Sequence, residues 1–231
     1  MTCKLAIDTS SNAGSIALQK DGKVVYINYA DSLTTHSETL MPHINEAFKT
    51  AQIKPKDLDA ILLANGPGSF TGLRIALATA KGIAYPHKIP ILPFYTLEAN
   101  AVNFINQGKY ILSIVDAKMD ELYLALYDES LKEIIPPTCC SYGQAVDIIQ
   151  KELTSNLILC GDKPDKLLNS LKENNICFSL PAGIADLKIC TALFALQDIH
   201  NKPLIWDAEA FAELEPFYVR KTIAQINKTK Q

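Results

Sequence analysis

The sequence has no surplus of either charge: 22 lysines and arginines stand against 25 aspartates and glutamates, a net charge of −3 with an isoelectric point near 5.8. Such a balance sets up no field that would draw nucleic acid or an anionic membrane. No apolar run approaches the ~20 residues that cross a bilayer as a helix, and Met1-Thr2-Cys3-Lys4-Leu5 leads into a strand instead of a signal peptide, so a cytoplasmic protein is expected. The six cysteines, Cys3, Cys139, Cys140, Cys160, Cys177 and Cys190, include no Cys-x-x-Cys pair and no histidine at zinc-finger spacing, which points to buried thiols in a reducing compartment. His36 and His43 are seven apart and form no His-Glu-x-x-His, so no metal site is expected. Reactive loops are missing as well. The one Gly-rich loop, Gly66-Pro67-Gly68, is followed by Thr71-Gly72-Leu73 where a phosphate-binding loop needs Gly-Lys-Ser/Thr, and Ser69 lies between Pro67 and Thr71 where a nucleophile elbow needs glycines.

What is present is organised around residues 60 to 84. Ala60-Ile61-Leu62-Leu63-Ala64 is a short apolar run, Asn65-Gly66-Pro67-Gly68 breaks it, and a small, apolar segment follows to Ala84; this reads as strand, tight loop and helix. Ser69 or Thr71 caps the helix. Gly72, Ala76, Ala80 and Ala84 recur every four residues, giving a ridge without bulk that another helix can approach closely. The pattern alone fits a core helix and a partner-binding helix equally. Between Thr71 and Ala84 only Arg74 and Lys81 carry charge.

Elsewhere the turn chemistry sets the order of elements. Lys4 to Ser10 reads as a strand ending in Asp8-Thr9-Ser10, Ser15 to Lys20 returns, Asp21-Gly22 turns, and Lys23 to Tyr29 is a third strand. Leu40, Met41, Ile44, Ala47, Phe48 and Ala51 have helical spacing across Pro42, which predicts a kink there or a helix beginning near Leu40. The meander then repeats. Tyr110 to Ala117 is a strand with Asp116 near its end, Glu121 to Tyr127 returns, and Leu131 to Ile135 is the third. Asp116 answers Asp8, which predicts two lobes, residues 1–108 and a smaller 109–231, with a cleft between them. The second lobe adds helices at 141–153, 164–172 and 186–200 and strands at 157–160 and 177–180, and the tail from Gln225 is expected to fray. By pattern alone, Asp8-Thr9-Ser10 and Gly161-Asp162 are ordinary turn residues.

Asn65 to Ile75, with Ala80-Lys81-Gly82-Ile83-Ala84 after it, resembles the signature of the TsaB (YeaZ) family, a bacterial subunit of the tRNA threonylcarbamoyladenosine machinery. Ile7-Asp8-Thr9-Ser10, His36-Ser37-Glu38 with Leu40 and Pro42, Val115-Asp116-Ala117 with Tyr123, and Pro216-Phe217-Tyr218-Val219-Arg220 fit it too. The resemblance implies an α/β, two-lobed actin-like ATPase/sugar-kinase fold with a duplicated strand meander and a reduced second lobe. It also implies a scaffold without catalysis or cofactor of its own, which pairs with the catalytic subunit TsaD, supports the ATPase TsaE and meets tRNA only through the complex. The paired metal-binding histidines of TsaD, four positions apart, are absent here. In the family TsaB meets TsaD through a helix bundle, so Leu40, Ile44, Phe48, Gly72, Leu73, Ala76, Ala80 and Ala84 are the expected partner surface, through which the chain alone would form a homodimer. The competing reading is an ATP-dependent small-molecule kinase or ATPase of the same fold, resting on Asp8, Thr9, Ser10 and Gly161.

Overall fold

Asp21 and Gly22 both take positive φ, 49° and 77°, the two-residue turn whose twist matches that of paired strands. It folds β2 (Ala13–Lys20) onto β3 (Lys23–Asp31), and β1 (Cys3–Asp8) lies antiparallel on the other side of β2. The computed structural model describes residues 2–31, 35–152, 156–181 and 190–219. These fall into two units, Met1–Ala99 with Lys188–Pro216 and Asn100–Leu187 with Phe217–Gln231.

In the first unit β4 (Ala60–Ala64) and β5 (Ile91–Phe94) join β1 in parallel, giving the order β3-β2-β1-β4-β5. A parallel strand needs a helical crossover, and α1 (His36–Ala51) and α2 (Phe70–Ala84) supply them. Leu5, Ile7, Ile16, Leu18, Ile44, Phe48, Ile61, Leu63, Ala76 and Ala80 form one core cluster between sheet and helices. All five residues of β4 are buried, as expected for a strand covered on both faces.

α1 does not begin near Leu40, one of the two outcomes expected from Pro42. The helix begins at His36 and continues through Pro42. Pro42 is exposed and lies past the first turn, so it removes one intrahelical bond, that to the Glu38 carbonyl. The start is fixed upstream by Thr35, whose N–H donates to the Glu38 carboxylate at 3.4 Å, a capping-box arrangement.

The second unit repeats the strand order. β6 (Tyr110–Lys118), β7 (Glu121–Tyr127) and β8 (Glu133–Ser141) form the meander, and β9 (Leu157–Gly161) and β10 (Phe178–Ser179) add in parallel, so the order is β10-β9-β6-β7-β8. Asp8 faces Ser15 in the last pair of β1–β2, and Asp116 faces Leu122 in the last regular pair of β6–β7. The third strand, expected at Leu131–Ile135, instead runs to Ser141 and contains Pro136 and Pro137, which an edge strand tolerates. α4 (Tyr142–Glu152) and α5 (Asp165–Glu173) cover one face through Ala145, Ile149, Leu167 and Leu171. The duplicated α/β architecture is the one expected from the sequence. α3 (Thr96–Ala101) leads out of the first unit, and the chain returns to it with α6 (Ala192–His200) and α7 (Ala208–Glu213). The expected helix residues 186–189, Arg220 and the tail lie outside the described residues.

Cys3, Cys140, Cys160 and Cys190 are buried, Cys139 is half-buried and Cys177 is exposed. Burial pushes the Cys140 thiol up to about 11 and raises the Cys190 thiol further still, which suppresses the reactive thiolate. A thiol-specific reagent at neutral pH is therefore expected to react first at Cys177 and to reach the four buried cysteines only on unfolding. Rapid native labelling of Cys190 would show that this packing is wrong.

Candidate functional site

The end of β1 and the start of α2 are locked together. The Thr9 hydroxyl donates to the Gly72 carbonyl at 2.7 Å, and the Ser69 N–H donates to the Ser10 carbonyl at 2.7 Å. Ser69 caps α2, as expected, by accepting from the Gly72 N–H at 3.2 Å. Asp8 accepts from the Ser10 N–H at 2.8 Å and so braces the turn. A Cβ on Gly68 would collide with the Ser10 carbonyl oxygen, and one on Gly72 with the Thr9 carbonyl oxygen. Glycine is required here for close backbone approach. Asp8, Thr9 and Ser10 are all buried, at 6%, 1% and 2% exposure. Thus the first three nucleotide candidates are gathered in one place; the Thr9 hydroxyl and the Ser10 N–H and carbonyl are bonded within the protein, while the buried Ser10 hydroxyl has no hydrogen-bond partner among the described residues.

Gly161, the fourth candidate, lies in the second unit. It takes φ +83° against the Ile114 carbonyl, leaving no room for a Cβ. The next N–H, that of Asp162, donates to the same carbonyl at 2.9 Å, and Asp162 accepts from the Asp116 N–H at 2.8 Å. Asp116 accepts from the Lys118 N–H at 2.9 Å and pairs with the Lys118 ammonium at 2.7 Å. That hydrogen bond raises the Lys118 pKa.

His36 is held within the fold, and His43 lies beside it. His36 Nε2 donates to the Ser11 carbonyl at 2.8 Å, and both rings flank a pocket of about 20 Å³ with Thr9, Ser15, Asn28 and Thr39, room for about one water. Among the described residues no group of three His, Cys, Asp or Glu side chains could hold a metal ion.

The expected partner residues are turned inward. Ile44, Ala76, Ala80 and Ala84 are fully buried, Leu40, Phe48 and Leu73 nearly so, and Gly72 is buried against Thr9. α2 packs on α1, β1, β4 and β5, so the small ridge serves close approach to the sheet within the chain and is not its exposed surface. The outward stripe of α2 is Thr71, Arg74, Ala78, Gly82 and Tyr85, every third or fourth residue. Tyr85 is 69% exposed and Phe70 47%, with the Arg74 guanidinium 3.8 Å from the Phe70 ring. On α1 the outward residues are Glu38, Met41, Asn45 and Lys49.

Sequence reasoning missed a strap that follows α6. The half-buried Lys202 ammonium donates to the Pro93 carbonyl at 2.6 Å and lies 4.0 Å from the Phe94 ring; partial burial lowers its pKa. Asp207 caps α7 through the Glu209 and Ala210 N–H groups. Trp206 before the cap packs on Phe211 in the next turn, ring centres 4.6 Å apart, a hydrophobic staple that was readable in the sequence. Phe211 also stacks on Tyr85 at 5.9 Å. Lys81 of α2 donates to the Ala212 carbonyl at 3.2 Å, and Asn65 to the Glu215 carbonyl at 2.8 Å. Lys81 therefore contacts the strap.

Comparison with known proteins places this arrangement. Residues 30–227 match the family model described as TsaD: tRNA N6-adenosine threonylcarbamoyltransferase. The tRNA threonylcarbamoyladenosine biosynthesis protein TsaB of Buchnera aphidicola subsp. Schizaphis graminum is 33% identical over 184 residues, 73% of this chain and 83% of that one. The chain belongs to the TsaB (YeaZ) family. The TsaB of Haemophilus influenzae is 27% identical over 95% of this chain and 94% of its own, so the family relationship runs nearly end to end. The fold agrees: YeaZ from Pseudomonas aeruginosa superposes with a TM-score of 0.70 at 21% identity, covering 94% of this chain and 100% of that one.

Replacing Ala80 by Leu is expected to overpack the core and lower unfolding free energy by about 1–3 kcal/mol in urea denaturation, and Thr9→Val, which leaves a buried carbonyl unpaired, by about 1–3 kcal/mol. An unchanged urea midpoint for Ala80→Leu would mean that the ridge faces outward after all.

Proposed function

We propose that the chain is a non-catalytic scaffold subunit of the bacterial complex that makes N6-threonylcarbamoyladenosine in tRNA, pairing with a TsaD-like catalytic subunit and supporting a TsaE-like ATPase in the cytoplasm. The relatives named for tRNA threonylcarbamoyladenosine biosynthesis support the pathway. The observation that carries the scaffold reading is the junction of β1 and α2. An actin-like kinase would offer the Asp8-Thr9-Ser10 turn to a nucleotide phosphate, whereas here Thr9 and Ser10 hold the helix start. A near-neutral charge balance fits tRNA being held by partners, since phosphate contacts need clustered cations. The TsaD-like subunit docks on the outward faces of α1 and α2. The α2 stripe suits close packing, because Ala78 and Gly82 are small and exposed while Phe70 and Tyr85 stand at either end as apolar anchors.

Two measurements test this. Ala78→Arg adds a bulky charge to an exposed helix position, so the variant is expected to keep the wild-type urea midpoint yet fail to co-elute with the TsaD-like subunit on gel filtration. Co-elution of the variant would remove the docking surface, and failure of the wild-type chain to co-elute would remove the scaffold reading. The isolated chain is expected to turn over no Mg·ATP; turnover abolished by Asp8→Asn would establish the kinase or ATPase reading instead.

A further inference from the structure

The strap that follows α6 is pinned along its length yet turns an apolar and acidic side to solvent. It is held by the Lys202 ammonium on the Pro93 carbonyl, the Lys81 ammonium on the Ala212 carbonyl and the Asn65 amide on the Glu215 carbonyl, with Phe211 and Leu214 packed against the first core cluster. Between Lys202 and Asp207 the chain forms neither helix nor strand. Among the described residues, the backbone N–H groups of Leu204, Ile205 and Trp206 bond no acceptor. Ile205 is 70% exposed and Leu204 37%. Beside them three rings stand in a row, Trp206 on Phe211 at 4.6 Å and Phe211 on Tyr85 at 5.9 Å. Residues 203–219 include Asp207, Glu209, Glu213 and Glu215 but no lysine or arginine, and all four acids are exposed. Asp207 is taken up by the α7 cap, whereas Glu209, Glu213 and Glu215 pair with no cation among the described residues. Glu209 and Glu213 are four apart and share a face of α7. An exposed apolar segment rimmed by polar groups marks an interaction surface.

We propose that residues 203–215 are a docking surface for a basic, apolar segment of a partner protein, which sets an apolar side chain on Leu204 and Ile205 and lysines or arginines against Glu209, Glu213 and Glu215. Charge selects this occupant. The carboxylates repel phosphate, so neither RNA nor an anionic membrane suits the strap, and a second copy would set like charges together. Lys81 and Lys202 do not neutralise it, because both ammonium groups are committed to backbone carbonyls. The rings favour a cation as well, as Lys81 shows by lying 5.3 Å from the Phe211 ring. Open N–H groups at Leu204 and Ile205 let an extended partner segment add backbone hydrogen bonds. Since the strap is pinned in advance, docking has little of it left to order. The surface meets the α2 stripe only at Tyr85, so it leaves the helix faces assigned to the TsaD-like subunit free.

Trp206 is the sole tryptophan of the chain, so tryptophan fluorescence reads the strap directly. Titrating the full-length chain with a short peptide of alternating arginine and valine is expected to give a saturable change in emission that weakens with added salt. Peptides of alternating glutamate and valine, or of arginine and serine, are expected to give none. Ile205→Asp and the double variant Glu213→Lys/Glu215→Lys are each expected to weaken binding about tenfold or more, while keeping the wild-type urea midpoint and co-elution with the TsaD-like subunit. The charge reversal decides the matter if Ile205→Asp fails to fold. Absence of a saturable change with the arginine–valine peptide overturns the proposal, and so does binding indifferent to both variants. Equal binding of the arginine–serine peptide, a saturable response to an RNA oligonucleotide, or emission that changes with protein concentration alone overturns it too, by assigning the strap to any polycation, to nucleic acid or to a second copy. Loss of co-elution in the charge-reversed variant would assign it to the TsaD-like subunit and overturn it likewise.

Discussion

Thr9 giving its hydroxyl to the carbonyl of Gly72, with Ser10 accepting from Ser69 one residue further on, seats α2 on the end of β1. The seat works only because Gly68 and Gly72 have no side chain to strike the Thr9 and Ser10 carbonyls. Each hydrogen bond is worth about 1 kcal/mol net, but a buried partner left unpaired costs about 1–3 kcal/mol, so the junction holds mainly through the penalty of opening it. From this seat the ridge Ala76, Ala80 and Ala84 lies flat against the sheet, and α1 packs on α2. The Thr9 hydroxyl and the Ser10 carbonyl are engaged in holding the helix, and α2 turns Thr71, Arg74, Ala78 and Gly82 outward.

Duplication gives the chain two sheets of one topology with different ends. In the first unit the strand-end aspartate, Asp8, braces a buried turn. In the second, Asp116 is half-exposed and engages its own hairpin through Lys118. The edges diverge too, with paired prolines on β8 and none on β3. A common backbone plan thus carries different local solutions at its strand ends and edges.

Much of this was legible in the sequence for stated physical reasons. Asp21-Gly22 marks a hairpin because both residues tolerate positive φ, and Ser69 marks a helix start because its hydroxyl meets a free N–H. The repeat of an aspartate-ended meander gave the duplicated fold. Three features were hidden. Four small residues in a row of spacing four show that something approaches closely, but not whether it is a partner or the chain's own sheet. Pro42 looks like a helix break until Glu38 and Thr35 place the helix start upstream. The strap beyond α6 depends on contacts far along the chain, Lys81 with Ala212 and Asn65 with Glu215, although the Trp206-Asp207 and Phe211 pattern announced its short helix.

Whether the start of α2 is held by β1 or is free for a ligand is read directly by native-state hydrogen exchange at the Ser69 and Gly72 amides. The expected result is exchange as slow as that of the central strand amides of β1, unaltered by Mg·ATP. Rapid exchange that slows when nucleotide is added would contradict it.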